Sequence, residues 1–169
     1  MATRTVDSDR IAVSGPVAGA IGGFLGSVLM GLQMQFVNPS PTLELVIPAM
    51  YGIEGPTLMA GWMLHQVHGV VLGVVYALLV RVGPVSAYAR RLDGAIVLGI
   101  GYGVLTTAVL SALVMPLWLL AVGFPNPPPF PNVTSPAILF GLLGHVVYAL
   151  VLAVVYATMV GPATPTTGT

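Results

Sequence analysis

The sequence predicts an all-α membrane protein with four transmembrane helices, arranged as two tandem two-helix repeats. Three observations carry that prediction. First, 56% of the residues are hydrophobic and only 6% are charged, whereas soluble domains carry about 25% charged residues. A chain this apolar cannot cover its own surface in water, so the lipid bilayer is its first partner. Second, four apolar stretches reach spanning length, at 11–37, 57–82, 94–123 and 136–160. Third, residues 56–80 and 136–160 align without a gap at an offset of 80, with 11 of 25 positions identical.

The elements follow in chain order. Residues 1–10 are polar and read as a disordered tail. The first span, 11–37, carries small residues at every fourth position: Gly15, Gly19, Gly23, Ser27 and Gly31. Such a ladder lets another helix approach closely where packing, not water, drives association. The span is too long for a signal h-region and has no evident cleavage site, so it is expected to stay. It ends in the more polar Gln33-Met34-Gln35. Loop 38–56 is rich in proline and contains an apolar run, Leu43 to Tyr51, too short to cross; an interfacial helix and a strand-like lid both fit it. Pro56 then opens the second span, 57–82, at a position where proline is tolerated.

Residues 83–93 form a short basic loop. The third span, 94–123, is long enough to need a tilt or a bend, and Pro116 is the expected bend. Its ladder of Ala95, Gly99, Gly103, Thr107 and Ser111 matches that of the first span at the same offset of 80. The repeat is therefore a whole hairpin, 11–82 and 94–160, with a parallel pseudo-two-fold along the membrane normal. Loop 124–135 is proline-rich and expected to be extended. It also holds a glycosylation sequon, Asn132-Val133-Thr134. Residues 161–169 read as a disordered stub.

All five basic residues (Arg4, Arg10, Arg81, Arg90, Arg91) lie in the N-terminal tail or around the middle loop. The positive-inside rule then places both termini in the cytoplasm, the two proline-rich loops outside, and the protein in the plasma membrane.

Zero net charge and the absence of lysine argue against a nucleic-acid partner. With no cysteine, disulfides and thiolate metal sites are excluded. The glycines around 19–22 and 99–103 sit inside apolar helices with no following lysine, so they are not phosphate loops. No catalytic constellation is present, and the expectation is a non-enzymatic protein.

The candidate site is a polar centre of His65, His68, His145 and Tyr148. His65 and His145 occupy equivalent positions, roughly 13 Å of helix from the outer end, and both lie on small-residue ladders. Tyr148 is the counterpart of His68. Ionisable groups inside a membrane are functional candidates by default. Three uses are open besides a structural one. The centre could serve a small-solute or proton pathway, with Glu54 at its outer mouth, or a subunit of a membrane complex or homo-oligomer. His65 and His145 could hold haem b between facing helices in an electron-transfer subunit. Met30, Met34, Met59 and Met63, paired four apart, could take Cu(I), for which thioethers are suited. No cofactor follows firmly.

Four pieces of the chain also carry a resemblance: Gly52-Ile53-Glu54-Gly55-Pro56, Trp62 to His65, Val122 to Asn132, and Gly144-His145-Val146-Val147-Tyr148. Together they resemble a group of small four-span membrane proteins from salt-loving archaea. That resemblance implies the four-span topology and draws attention to the histidines and the Phe-Pro-Asn loop.

Overall fold

The computed structural model describes residues 13–38, 41–134 and 136–161; the predicted disordered ends, 1–10 and 161–169, lie outside them except for Gly161. Every regular element among the described residues is helical. Four helices are long and apolar enough to cross a membrane: α1 (Gly15–Phe36), α3 (Leu58–Leu79), α5 (Leu92–Ala121) and α6 (Ala137–Val160). The short α2 covers residues 42–49, with a π-helical turn, Thr42–Val46, running into Ile47–Ala49. It settles the open reading of that run in favour of a helix. The basic loop is corrected: Gly83–Ala89 forms α4, with Pro84 in its first turn, where a missing N–H costs nothing.

Large apolar side chains cover the outside of the bundle. Val17, Phe24, Val67, Val71, Val104 and Leu139 are among many that stand exposed. An apolar belt of this extent suits lipid and not water, and the chain is an integral membrane protein.

Small residues hold the spans together. α1 is the hub, packed on α3 along one side and on α6 along the other, while α5 packs on α6. Gly19 and Gly23 of α1 cross Gly69 and Gly73 of α3 backbone to backbone. A Cβ added at Gly73 would stand 2.1 Å from the Gly19 carbonyl oxygen, and one at Gly23 would stand 2.2 Å from that of Gly69. The other side of α1 uses Gly22 and Gly26, against the backbone of Leu152 and Tyr148. On α5, Gly99 and Gly103 lie against the backbone of α6 at Ala149 and Val146. The first ladder thus meets α3 and the second meets α6, each within its own hairpin.

A perfect two-fold would pair α3 with α5 as closely as α1 with α6. It does not: α3 and α5 are parted over much of their length. They meet toward the end that holds the chain termini, where Tyr102 Oη donates to the Leu72 carbonyl oxygen at 2.8 Å. Toward the opposite end, which holds the two proline-rich loops, a gap opens between them.

The course of α5 accounts for part of that gap. Thr106 and Thr107 turn their hydroxyls back onto the carbonyls of Tyr102 and Gly103, at 2.8 and 2.7 Å. Such back-bonding loosens a helix. Directly after it the helix widens into a π-helical stretch, Thr107–Val114, which ends just before Pro116. The expected bend is therefore a two-turn change of helix type, broader than a kink at one proline.

Candidate functional site

The gap holds a cavity of about 800 Å³ in the loop-end half of the bundle. All four spans contribute to its wall, and His65, His68, His145 and Tyr148 all line it. They share the wall but no hydrogen bond with one another. Each has its own partner, and those partners decide what each can do.

Tyr148 is fully buried and spends its hydroxyl on the Gly69 carbonyl oxygen at 2.8 Å. It ties α6 to α3 through the thin slot left by the glycines. Tyr102 makes the matching bond from α5. Beyond these, Tyr76 packs on Tyr102 and Tyr156, with ring centroids 5.2 and 5.7 Å apart. Of this tyrosine layer Tyr148 lines the cavity, and Tyr76, Tyr102 and Tyr156 lie beyond it toward the termini.

His65 is buried and faces α1, where its Nε2–H donates to the Ser27 carbonyl oxygen at 2.9 Å. His145 is also buried, and its Nδ1–H donates to Gly141, one turn back on its own helix, at 2.8 Å. The two rings occupy matching sequence positions but are used differently. In His145 the N–H is held by the backbone and Nε2 keeps its lone pair, as a metal-ready imidazole does. In His65 it is Nε2 that is committed, so the pair does not present two equivalent ligand atoms to a haem. His68 is half-buried and hydrogen-bonded through Nε2 to the Tyr51 hydroxyl.

The copper expectation is corrected. Met59 and Met63 are 77% and 64% exposed on the lipid side of α3, while Met30 and Met34 point inward and line the cavity. The four sulfurs do not converge. Glu54 is corrected too: it stands exposed in the loop after α2 and is not part of the cavity wall. Among the described residues no three His, Cys, Asp or Glu side chains gather as a metal site.

Amides form the rim instead of Glu54. Gln33, Asn38, Asn126 and Asn132 line the cavity toward the loops. Gln33 is the informative one. Its Nε2 donates to Asn38 Oδ1 and, at 3.5 Å, to the Phe140 carbonyl oxygen. A carbonyl can only accept, so the amide is oriented with Oε1 the other way. That Oε1 is buried beside Gly144 and has no partner among the described residues. Sequence reading noted Gln33 only as a polar span end. An amide one helical turn from the cavity-lining Met30 is the signal that would have raised it.

Asn132 is 5% exposed, and its Oδ1 accepts from the Thr134 hydroxyl at 3.3 Å. In this fold it is no glycan acceptor. Its backbone N–H donates to the Ala112 carbonyl oxygen at 2.9 Å. Ala112 lies four residues before Pro116, which has no N–H to give it. The bond from Asn132 anchors the proline-rich loop on α5, over the cavity.

A second contact crosses the gap itself. Trp118 Nε1 donates to the Met50 carbonyl oxygen at 2.8 Å, and the Tyr51 ring lies between Trp118 and His68, with centroid distances of 5.5 and 5.6 Å. The end of α2 thereby bridges α5 and α3. Further down, Val67 and Val71 line the cavity and are also 59% and 55% exposed on the outer surface of the bundle.

No protein-family model, no curated protein and no solved structure matches the chain.

Proposed function

We propose that this is a non-enzymatic membrane protein that binds a small molecule drawn from the bilayer, held in the cavity between α3 and α5. One observation carries the reading: Val67 and Val71 line the cavity and also stand in the apolar belt, while the tyrosine layer lies toward the termini. A through-pathway for a solute or proton needs that layer to part, whereas a binding site entered from lipid needs no such step. The wall suits an apolar guest. Four of the eight methionines, Met30, Met34, Met50 and Met115, line it, and thioether side chains adapt to irregular apolar surfaces.

Protein reconstituted with one synthetic phospholipid should keep a co-purifying small molecule through extraction. Ser111→Phe, which sets a ring into the cavity, should release most of it. Extracts of both proteins holding only the supplied phospholipid would sink the reading.

We also propose that the loop end faces outward and the termini lie in the cytoplasm, on the distribution of the five arginines. Val133 is 60% exposed in the loop over the cavity. The chain has no native cysteine to compete, so Val133→Cys in intact cells should react with an impermeant maleimide. Reaction only after the cells are opened would reverse the orientation.

A further inference from the structure

The hydrogen-bonding groups around the cavity are uneven, and the imbalance describes the guest. No Lys, Arg, Asp or Glu among the described residues lines it. A carboxylate, phosphate or ammonium head would enter an apolar interior without a counter-charge, which is costly. A neutral head remains. In the inner part of the wall most hydroxyls are already used: Tyr148 on Gly69 and Ser27 on Phe24. Both histidine N–H groups are used as well, on Ser27 and Gly141. What is left there, among the described residues, is the Ser111 hydroxyl and two imidazole lone pairs, at His65 Nδ1 and His145 Nε2. Gln33 Oε1 is buried with no donor among the described residues. Gln33 Oε1 lies against Gly144, the residue before His145. A neutral imidazole has one donor and one acceptor, so His145 cannot satisfy Gln33 with the N–H it gives to Gly141.

Buried acceptors left unpaired are costly, and a guest that brings an O–H relieves that cost. We propose that the cavity selects an uncharged long-chain alcohol, its hydroxyl donated to His145 Nε2 and its hydrocarbon leaving past Val67 and Val71 into the lipid. This rests on the reading of the cavity as a binding site entered from the membrane, and it adds the chemical class of the guest.

Three photoreactive probes of equal chain length test it in reconstituted protein: a diazirine-bearing primary alcohol, its methyl ether and the matching carboxylic acid. The ether keeps the oxygen but loses the donor, and the acid adds a charge. The alcohol should label the wild-type chain about tenfold more than either, the factor that one unsatisfied buried acceptor implies. His145→Phe should erase most of that preference, and His145→Leu offers the same test should the first variant fail to fold. Equal labelling by all three probes, or an advantage for the acid, would overturn the alcohol while leaving the cavity occupied. An alcohol preference that survives either substitution would overturn the assignment to His145. Labelling no higher in the wild type than in Ser111→Phe would remove the binding reading and the alcohol together. The wild-type ratio of alcohol to ether decides the class of guest even if neither variant folds.

Discussion

Gly73→Ala should destabilise the folded protein by about 3 kcal/mol, and Gly23→Ala by a similar amount, because neither new methyl has anywhere to go. The Cβ at Gly73 would stand 2.1 Å from the Gly19 carbonyl oxygen and 2.9 Å from the Gly23 Cα, which are backbone atoms of a packed helix and cannot rotate aside. The helices must separate, and the Tyr148 bond to Gly69 lengthens with them. Alanine returns something through its better helix propensity, about 1 kcal/mol, so the measured loss is net of that gain. Gly101→Ala is the control. Gly101 is exposed, with no atom within 4 Å of an added Cβ, so the same exchange there should be neutral or mildly stabilising. The double variant Gly23→Ala with Gly73→Ala should cost much less than the sum, since the first substitution already parts the helices at the place the second would clash. Unfolding in mixed micelles measures all four. A Gly73→Ala protein as stable as Gly101→Ala would show that α1 and α3 do not cross backbone to backbone.

How much of this was legible beforehand varies with the range of the interaction. The four spans follow from local composition, and so does the ladder that puts Gly19 and Gly23 on one face. Spacing along one helix also correctly turns His65 and His145 inward. It cannot say which partner each ring finds. His65 meets Ser27 because α1 is its neighbour, while His145 bonds back to Gly141 on its own helix. The two methionine pairs fail for a related reason. Met30 with Met34 and Met59 with Met63 share a spacing, but only the face turned to the bundle centre reaches the cavity, and α3 turns its methionines to lipid. Glu54 was placed by its nearness in sequence to the span mouth, whereas α2 and the 124–134 loop occupy that position. The π-helical stretch lies between two back-bonded threonines and a proline and takes a bond from Asn132 of a distant loop, which no window on the chain contains. α4 was hidden by its composition, since Gly83, Pro84 and Ser86 read as loop residues until proline is seen to fall in the first turn.

Gly61→Ala should release α2 while leaving the four spans assembled. Gly61 lies on α3 where the Leu43 carbonyl of α2 rests, and an added Cβ would stand 1.6 Å from that oxygen. No rearrangement of side chains relieves such a clash, so the α2 backbone must lift. Leu43, now 2% exposed, loses its seat, and the bond from Thr57 N–H to the Glu44 carbonyl oxygen, 2.8 Å long, goes with it. The spans hold because their contacts lie elsewhere, at Gly19, Gly23, Gly69 and Gly73. What suffers is the bridge that α2 makes across the gap, through Met50 to Trp118 and Tyr51 to His68. A local cost of about 2 kcal/mol corresponds to roughly a thirtyfold rise in the open fraction. Met50→Cys reports it: the reaction rate of that thiol should rise by about that factor when Gly61→Ala is added, with little change in the melting of the whole protein. Unchanged reactivity would mean that α2 is not held on Gly61. Faster reactivity with a collapsed melt would mean that α2 is part of the bundle's cooperative core, and the cavity would then lack a separately movable cover.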